Sequence, residues 1–206
     1  MSLPPAEKAL SKACKTMSQL VKDQEPWPGA AEGRARDPYE SLFRAIVYQQ
    51  LSGKAAATIL SRTVALFPEH AFPAPAAVLA ADPQILRGAG LSRQKQAALK
   101  DLADKRLSGV VPADEAIADL PDEEIIARLT AVRGVGRWTV QMYLMFTLGR
   151  PDVWPHDDLG VRNGVARVYG ETLTPKLLLA FGERFAPHRS AAAWHFWRAA
   201  DTKTVS

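Results

Sequence analysis

The sequence has a single cysteine and no long apolar run, and each absence excludes a class of protein. Cys14 is the only cysteine among 206 residues. An internal disulfide, a zinc site built on cysteines and a four-cysteine iron–sulfur cluster are therefore excluded. The four histidines show no HxxxH or HxH spacing, which gives little support to metal catalysis. Because no run reaches about 18 apolar residues and the amino terminus lacks an apolar signal core, we expect a cytoplasmic protein without a membrane span.

The composition is that of an ordinary globular protein with a mild excess of basic residues. Hydrophobic residues make up 47% and charged residues 23%, and the net charge is +4 with a sequence pI near 9.3. This balance is compatible with a nucleic-acid partner. Strand patterns are almost absent, whereas capping signals such as Asp37-Pro38, Asp82-Pro83 and Ser92 mark many helix starts. The sequence predicts an all-α fold of about ten helices, in which the apolar segment 138–148 is a fully buried helix.

A glycine turn lies between two apolar helical runs at Gly134-Val135-Gly136. Two glycines allow a tight turn, and the amides that open the second helix then favour an anion. Arg137 lies beside these amides, so a DNA phosphate fits the turn without any base being read. The alternative is a corner between helices that serves packing alone.

A pair of acids follows the next turn, at Asp157 and Asp158. One of them is a natural N-cap for the helical pattern that comes after it, which is a structural explanation for its presence. The same position is chemically useful, because a helix N-terminus stabilises an ionised carboxylate. Both interpretations stay open from the residues alone.

Several segments in the right order resemble one family of DNA repair enzymes. The hairpin at 129–139, and the turn at 149–155 with the aspartate after it, resemble the helix-hairpin-helix signature of the HhH-GPD superfamily of base-excision DNA glycosylases. Residues 42–52 resemble the early helix and wedge loop of its 3-methyladenine DNA glycosylase II (AlkA-like) branch. Residues 90–95 resemble that branch's GLS-x-x-K segment. The resemblance covers most of the chain.

The resemblance implies an all-α, two-lobed fold with a central six-helix barrel. Residues 37–155 would form the barrel lobe that contains the helix-hairpin-helix. Residues 1–36 plus 156–206 would form the second helical lobe, with DNA crossing the cleft between the lobes. The implied partner is double-stranded DNA that contains alkylated bases, and the protein is expected to act as a monomer.

The resemblance also implies the chemistry. Asp158 would be the catalytic residue, because cleavage of an N-glycosidic bond builds positive charge on the sugar and a fixed anion stabilises that charge. The residues implied to line the substrate pocket are Trp138, Met142, Trp197 and Asp157. An indole face attracts an alkylated, cationic purine, whereas for a tryptophan in a helix the alternative is core packing. Met142 departs from the family, since better-known members of the branch carry tyrosine there.

DNA contacts are implied at two places, the hairpin and the wedge loop. The implied residues are Gly134, Val135, Gly136, Arg137, Thr139, Gln50, Leu51 and Ser52. Leu51 would fill the gap left by the flipped base, although it could instead be an ordinary core leucine. The hairpin carbonyls of Thr130, Val132 and Val135 would hold a structural Na⁺ or K⁺, and no other cofactor is expected.

Trp138 indicates which half of the superfamily the chain resembles. The glycosylase–lyases carry a lysine there, and an amine is needed to form a Schiff base with the sugar. The resemblance therefore implies a monofunctional enzyme that excises purines of the 3-methyladenine and 7-methylguanine type and leaves an abasic site. Two alternatives are a non-catalytic helix-hairpin-helix module that binds duplex DNA and an adenine- or thymine-mismatch glycosylase.

Overall fold

The structure, a computed structural model, describes residues 3–30 and 37–201, and within these ranges it is helical and has no strand. The α-helices are α1 Pro5–Ala13, α2 Lys15–Asp23, α3 Pro38–Tyr48, α4 Gly53–Ala65, α5 Pro75–Ala80, α6 Pro83–Gly88, α7 Arg93–Leu107, α8 Asp114–Ile117, α9 Asp122–Thr130, α10 Arg137–Phe146, α11 Leu159–Tyr169, α12 Pro175–Gly182 and α13 Arg189–Asp201. A short 3-10 helix, Glu183–Phe185, follows α12. No helix in the described ranges is long and apolar enough to cross a membrane. The all-α prediction is confirmed.

The predicted helix starts are confirmed where a side chain caps the first turn. Asp37 Oδ1 accepts the amide of Tyr39 at 2.7 Å, and Asp82 Oδ1 accepts the amide of Gln84 at the same distance. Ser92 Oγ accepts the amide of Lys95 at 3.3 Å and opens α7. These bonds satisfy amides that have no partner inside the helix, and the same residue types can be recognised in the sequence.

The structure has more helices in its described ranges than the ten or so predicted, because two short ones carry little signal. Helix α5 has six residues, begins at Pro75 and has no side-chain cap. The amino-terminal helical region is divided at Cys14, whose backbone is extended and whose Sγ accepts the amide of Met17 at 3.5 Å. Periodicity is weak evidence over segments of six to nine residues.

The chain divides into two compact units. The first, Gly33–Tyr143, is called the hairpin unit, and the second, Met1–Glu32 with Leu144–Ser206, is called the terminal unit. The six-helix barrel and the lobe boundaries implied by the resemblance stay predictions.

In the hairpin unit α3 and α7 pack through a core of aliphatic and aromatic side chains. Phe43 is fully buried and meets Phe72 edge to face, with ring centroids 5.1 Å apart. Asp37 at the start of α3 pairs with Arg106 near the end of α7 at 2.5 Å. Helix α7 also contacts both the loop after α3 and the hairpin, through Lys95 and Asp101.

In the terminal unit α11 and α13 approach each other closely. A methyl group added at Gly164 would lie 1.9 Å from the carbonyl oxygen of Phe196, so only glycine allows this spacing. The side chain of His195 is fully buried, its Nδ1 lies 2.8 Å from Gln24 Oε1, and burial lowers its pKa to about 4. His195 is therefore neutral at physiological pH and belongs to the packing of this unit.

The prediction that 138–148 forms a fully buried helix is wrong at both ends of that segment. Helix α10 begins one residue earlier and ends at Phe146. Trp138 in its first turn is 50% exposed, whereas Val140 and Leu144 are fully buried. The uniformly apolar pattern of this segment gave no sign that the large ring in the first turn is exposed.

Candidate active site and DNA interface

Asp158 begins α11 and caps it. Its Oδ1 accepts the amide of Val161 at 2.8 Å, and its own amide donates to Pro155 O at 3.0 Å. The side chain is half-buried. The capping interpretation is confirmed, and it does not compete with chemistry, because the cap holds a carboxylate at the positive end of the helix dipole.

A second donor reaches the same oxygen from α13. Trp197 Nε1 donates to Asp158 Oδ1 at 2.7 Å, a bond between side chains 39 residues apart. Space for the indole exists because Gly160 lacks a side chain. A methyl group there would lie 2.7 Å from Trp197 Cδ1 and 3.0 Å from Asp158 Oδ1. Asp158 is thus oriented by two N–H groups in a geometry that depends on glycine.

Asp157 has a different environment from its neighbour. Its side chain is largely exposed, and Oδ2 lies 3.5 Å from Nε2 of His156. A carboxylate in that position is solvated and mobile compared with one that accepts two buried or half-buried N–H donors. Of the two acids that the sequence places side by side, the structure fixes Asp158.

The hairpin turn joins α9 to α10 with two glycines of different character. Gly134 has φ +77°, in the left-handed region, whereas Gly136 does not, and nothing lies within 4 Å of a methyl group added there. Val132 and Val135 are buried, and Val135 N donates to Val132 O at 3.0 Å. The turn therefore points its apolar residues inward and leaves Gly134 and Gly136 exposed.

Arg137, at the start of α10, is an exposed cation held by one acid. Its guanidinium donates to both carboxylate oxygens of Glu123 on α9, at 2.5 and 3.1 Å. A phosphate bound here would have to compete with that carboxylate. Thr139, one residue beyond Trp138, is half-buried.

The hairpin carbonyls fit a monovalent cation by their chemistry. Val132 O accepts one amide, and a carbonyl oxygen has a second lone pair for a hard cation. The proposed ligands Thr130, Val132 and Val135 lie within six residues of one another at the end of α9 and in the turn. Among the described residues, no group of histidine, cysteine, aspartate or glutamate side chains could hold a metal ion. The cation site stays a prediction.

The wedge loop, Gln49–Ser52, connects α3 to α4. Leu51 is 39% exposed, which contradicts the alternative of a core leucine. Gln50 is exposed and has φ +58°, an uncommon conformation for a side-chain-bearing residue. Ser52 is exposed, and its carbonyl accepts the amide of Ala56 at 2.9 Å. The loop presents an apolar side chain on a constrained backbone.

The predicted pocket residues are divided between the two units. Trp138 and the half-buried Met142 belong to the hairpin unit, and Asp157, Asp158 and Trp197 belong to the terminal unit. Within the terminal unit Trp197 also meets Phe146, with ring centroids 6.0 Å apart. Core packing alone is not the explanation for Trp138 or Trp197, because neither is buried. It does explain Phe196, which is fully buried.

Comparison with known proteins decides the family. The model of the HhH-GPD superfamily of base excision DNA repair proteins matches residues 43–186. This chain belongs to that superfamily.

Similar proteins place it in one branch of the HhH-GPD superfamily. DNA-3-methyladenine glycosylase 1 of Schizosaccharomyces pombe is 39% identical over 199 residues, which cover 96% of this chain and 87% of that protein. A solved 3-methyladenine DNA glycosylase from the same yeast, in complex with abasic DNA, has a TM-score of 0.84 at 38% identity and covers 97% of this chain and 100% of its own. A DNA-3-methyladenine glycosidase from Bacillus halodurans has a TM-score of 0.81 at 31% identity, covering 97% and 90%. The predicted family and its base excision repair glycosylase function are confirmed.

Sequence reasoning missed the residues that support this HhH-GPD site. The Gly160 and Gly164 pair has GxxxG spacing, a signal of close helix approach that was readable but was not used. Lys95 was noted only as part of a family segment, and its ammonium binds the carbonyls of Val47 and Gln49. The bond between Trp197 and Asp158 had no local signal, because it joins distant helices.

Proposed function

We propose that this member of the HhH-GPD superfamily is a monofunctional DNA glycosylase that flips alkylated purines out of duplex DNA and hydrolyses their N-glycosidic bond. The products are the free base and an abasic site. The observation that carries the proposal is the orientation of Asp158 by Val161 N–H and Trp197 Nε1–H. The names of the similar proteins support 3-methyladenine as a substrate.

Asp158 stabilises the charge that develops on the sugar. As the glycosidic bond breaks, the deoxyribose becomes oxocarbenium-like, and a preoriented carboxylate lowers the energy of that state. Water then adds to the anomeric carbon, with Asp158 accepting its proton or orienting it. An alkylated purine leaves as a neutral base, so no general acid is needed at the leaving group.

Two N–H donors on one oxygen are compatible with this role. Hydrogen bonds from Val161 N–H and Trp197 Nε1–H to one oxygen fix the direction of the carboxylate. The cost of reorganising solvent around the acid during the reaction is then small, which is how preorganised sites accelerate reactions. Trp197 contributes its N–H to this arrangement in addition to the ring face that the family resemblance assigns to the base.

Trp138 supports the absence of lyase activity. It occupies the position where the glycosylase–lyases of the superfamily carry lysine, and an indole cannot form a Schiff base with the sugar. Trp138 and Met142 would line the base pocket, with the ring of Trp138 attracting a cationic purine by roughly 0.5–2 kcal/mol. Asp157 would lie at the edge of the pocket.

The remaining predicted contacts position the duplex. The hairpin from Gly134 to Thr139 binds a phosphate through amides and Arg137, and Leu51 fills the gap left by the flipped base. Where a Na⁺ or K⁺ is bound, the carbonyls of Thr130, Val132 and Val135 would hold it and it would add positive charge beside the phosphate. The enzyme is proposed to act as a monomer.

The test is a lesion panel with an active-site variant. Duplexes that carry one 3-methyladenine, 7-methylguanine, 1-methyladenine, ethenoadenine or hypoxanthine are incubated with the protein, and strand breaks are scored with and without alkali. We expect excision of alkylated purines with breaks only after alkali. Asp158→Asn should lower the single-turnover rate by roughly 100- to 1,000-fold. Its affinity for undamaged duplex should stay within a few-fold of wild type.

Asp157→Asn is the control for Asp158→Asn. It should lose much less activity, because the Asp157 side chain is exposed and lacks the two N–H donors. Breaks without alkali would contradict the monofunctional proposal. Duplex binding with no excision of any lesion would favour a non-catalytic hairpin module. Removal of normal adenine or thymine from mismatches, without activity on alkylated purines, would favour a mismatch glycosylase.

A further inference from the structure

The wedge loop and the hairpin turn are both attached to one helix, α7, within the hairpin unit. Lys95, in the first turn of α7, donates from Nζ to Val47 O at 2.6 Å and to Gln49 O at 2.9 Å. These carbonyls belong to the last turn of α3 and the first residue of the wedge loop. The end of a helix leaves carbonyls without partners, and a cation there also meets the negative end of the dipole.

The ammonium of Lys95 is held in place by these two hydrogen bonds. Its side chain is half-buried, and burial lowers the pKa of the amine. Both hydrogen bonds of the ammonium end on main-chain oxygens, so the cation holds the backbone where α3 turns into the loop. Gln50, the next residue, has φ +58°. A residue other than glycine keeps such a conformation only where its surroundings impose it.

The side chain of Gln49 ties the same loop to the hairpin. Gln49 Nε2 donates to Gly134 O at 2.9 Å, across 85 residues of sequence. The side-chain amide of Gln49 is therefore turned toward the hairpin carbonyl. Leu51 lies two residues after this bond.

The hairpin is attached to α7 by an acid. Asp101 Oδ2 accepts the amide of Arg133 at 2.6 Å, and Oδ1 pairs with Lys105 at 2.5 Å. Burial opposes ionisation of Asp101, but the Arg133 amide and the Lys105 ammonium hold its pKa below the ordinary value. Asp101 and Lys95 are six residues apart, about 9 Å along the helix axis. One rigid helix thus carries both attachments.

We propose that Lys95 is a positioning residue for base flipping: it fixes the wedge loop in register with the phosphate-binding hairpin. When the hairpin binds a phosphate, Leu51 is already held at a set distance along the duplex. Without the ammonium, the hairpin still binds DNA, but the loop between Gln49 and Ser52 relaxes and Leu51 no longer enters the stack on each encounter. The inference rests on the proposed function, in particular on Leu51 as the wedge.

Helix α7 also offers a matched control. Lys100, five residues beyond Lys95, donates from Nζ to Leu79 O at 3.1 Å and to Ala81 O at 2.9 Å. It holds the end of α5 by the same two-carbonyl geometry and is half-buried as well. A substitution at Lys100 removes an equivalent set of hydrogen bonds without touching the wedge loop or the hairpin.

The experiment compares Lys95→Met with Lys100→Met. We expect similar falls in melting temperature and the same affinity for undamaged duplex for both variants. In a duplex with 2-aminopurine beside a 7-methylguanine, Lys95→Met should lower the fluorescence rise on flipping and the single-turnover excision rate at least tenfold. Lys100→Met should change both by less than twofold. Lys95→Arg, which can still donate to two carbonyls, should restore at least half of the flipping signal.

Two further variants keep the outcomes distinct. Leu51→Ala must lose the flipping signal, or Leu51 is not the wedge and the inference is overturned. If Lys95→Met does not fold, Lys95→Gln serves in its place, because a neutral amide on a shorter side chain cannot hold both carbonyls. Equal flipping by Lys95→Met and Lys100→Met overturns the positioning role, whereas a wild-type protein that neither flips nor excises any lesion overturns the proposed function.

Discussion

Two glycines, Gly164 in the terminal unit and Gly136 in the hairpin unit, have opposite surroundings. In the terminal unit, Gly164 allows two helices to touch, since an added methyl group would lie 1.9 Å from Phe196 O. In the hairpin unit, Gly136 has no neighbour within 4 Å of such a group and no left-handed backbone. The packing of the protein requires a glycine at position 164, whereas nothing in the protein excludes a side chain at position 136, which we propose faces a phosphate.

The two units also differ in the contacts that hold their candidate functional residues. Asp158 is oriented by a side chain, Trp197, which reaches it because Gly160 and Gly164 bring α11 and α13 together. The hairpin and wedge loop are held instead by side chains that end on main-chain groups, such as Lys95 and Asp101. The proposed catalytic acid is therefore held through helix spacing, and the proposed DNA-contacting segments are held through bonds to their backbone.

The largest expected effect tests the glycine contrast directly. Gly164→Ala must separate α13 from α11, because the clash is with backbone and not with a flexible side chain. We expect a loss of roughly 1–3 kcal/mol in the free energy of unfolding, or more where the backbone must move. Excision should fall at temperatures where the variant is still folded. Urea denaturation and single-turnover excision measure both.

Gly136→Ala is the matched substitution in the hairpin unit. It should unfold within about 1 kcal/mol of wild type, since alanine is only a poorer residue before a helix. Its affinity for undamaged duplex should fall several-fold, because a methyl group would stand where a phosphate approaches the amides. If Gly164→Ala is stable and active, or if Gly136→Ala binds duplex normally, the contrast is wrong.

A moderate effect is expected from removing one N–H at the terminal-unit site. Trp197→Phe keeps an aromatic face and removes the bond to Asp158 Oδ1. A hydrogen bond to a charged group contributes about 1.5–3 kcal/mol, and half-exposure reduces that value. We expect roughly a tenfold slower single-turnover excision with unchanged affinity for undamaged duplex.

Trp194→Phe is the control for the Trp197 substitution. It lies on the same helix, and its Nε1 donates to the carbonyl of Glu25 at 3.0 Å, away from Asp158. This variant should excise at close to the wild-type rate. Equal rates for the two variants would mean that the indole N–H does not orient the carboxylate.

Local chemistry explains which features could be predicted from the sequence. Helix starts at Asp37, Asp82 and Ser92 depend on one residue and its next three amides, so a residue type at a boundary suffices. The glycine turn and the acid at Asp158 are local in the same sense. Their order along the chain was enough to identify the family, and with it the all-α fold.

The hydrogen bonds that hold the candidate site residues could not be predicted, because they join residues that are distant in the sequence. Trp197 and Asp158 are 39 residues apart, and Gln49 and Gly134 are 85 apart. No short pattern encodes such a pair. The exposure of Trp138 was missed for a different reason: an apolar helix was taken to be buried, whereas a large ring in its first turn is half exposed. If Trp138 lines a base pocket, as we propose, such an exposed apolar ring is what the pocket requires.

The smallest expected effect concerns Arg137, the cationic side chain beside the hairpin turn. Glu123 holds Arg137 by two hydrogen bonds, but both side chains are well exposed, so the pair contributes at most about 1 kcal/mol. Glu123→Gln removes the competing charge and should raise affinity for undamaged duplex about two- to fivefold. The dependence of log affinity on log salt should steepen by up to about 0.9, the contribution of one more neutralised phosphate.

Titrations at several salt concentrations measure both the affinity and this slope. The control is Glu124→Gln, which frees Arg128 from an i,i+4 pair on the same helix. An unchanged slope for Glu123→Gln would mean that Arg137 does not reach a phosphate, and the amides of the hairpin would then bind the backbone without it.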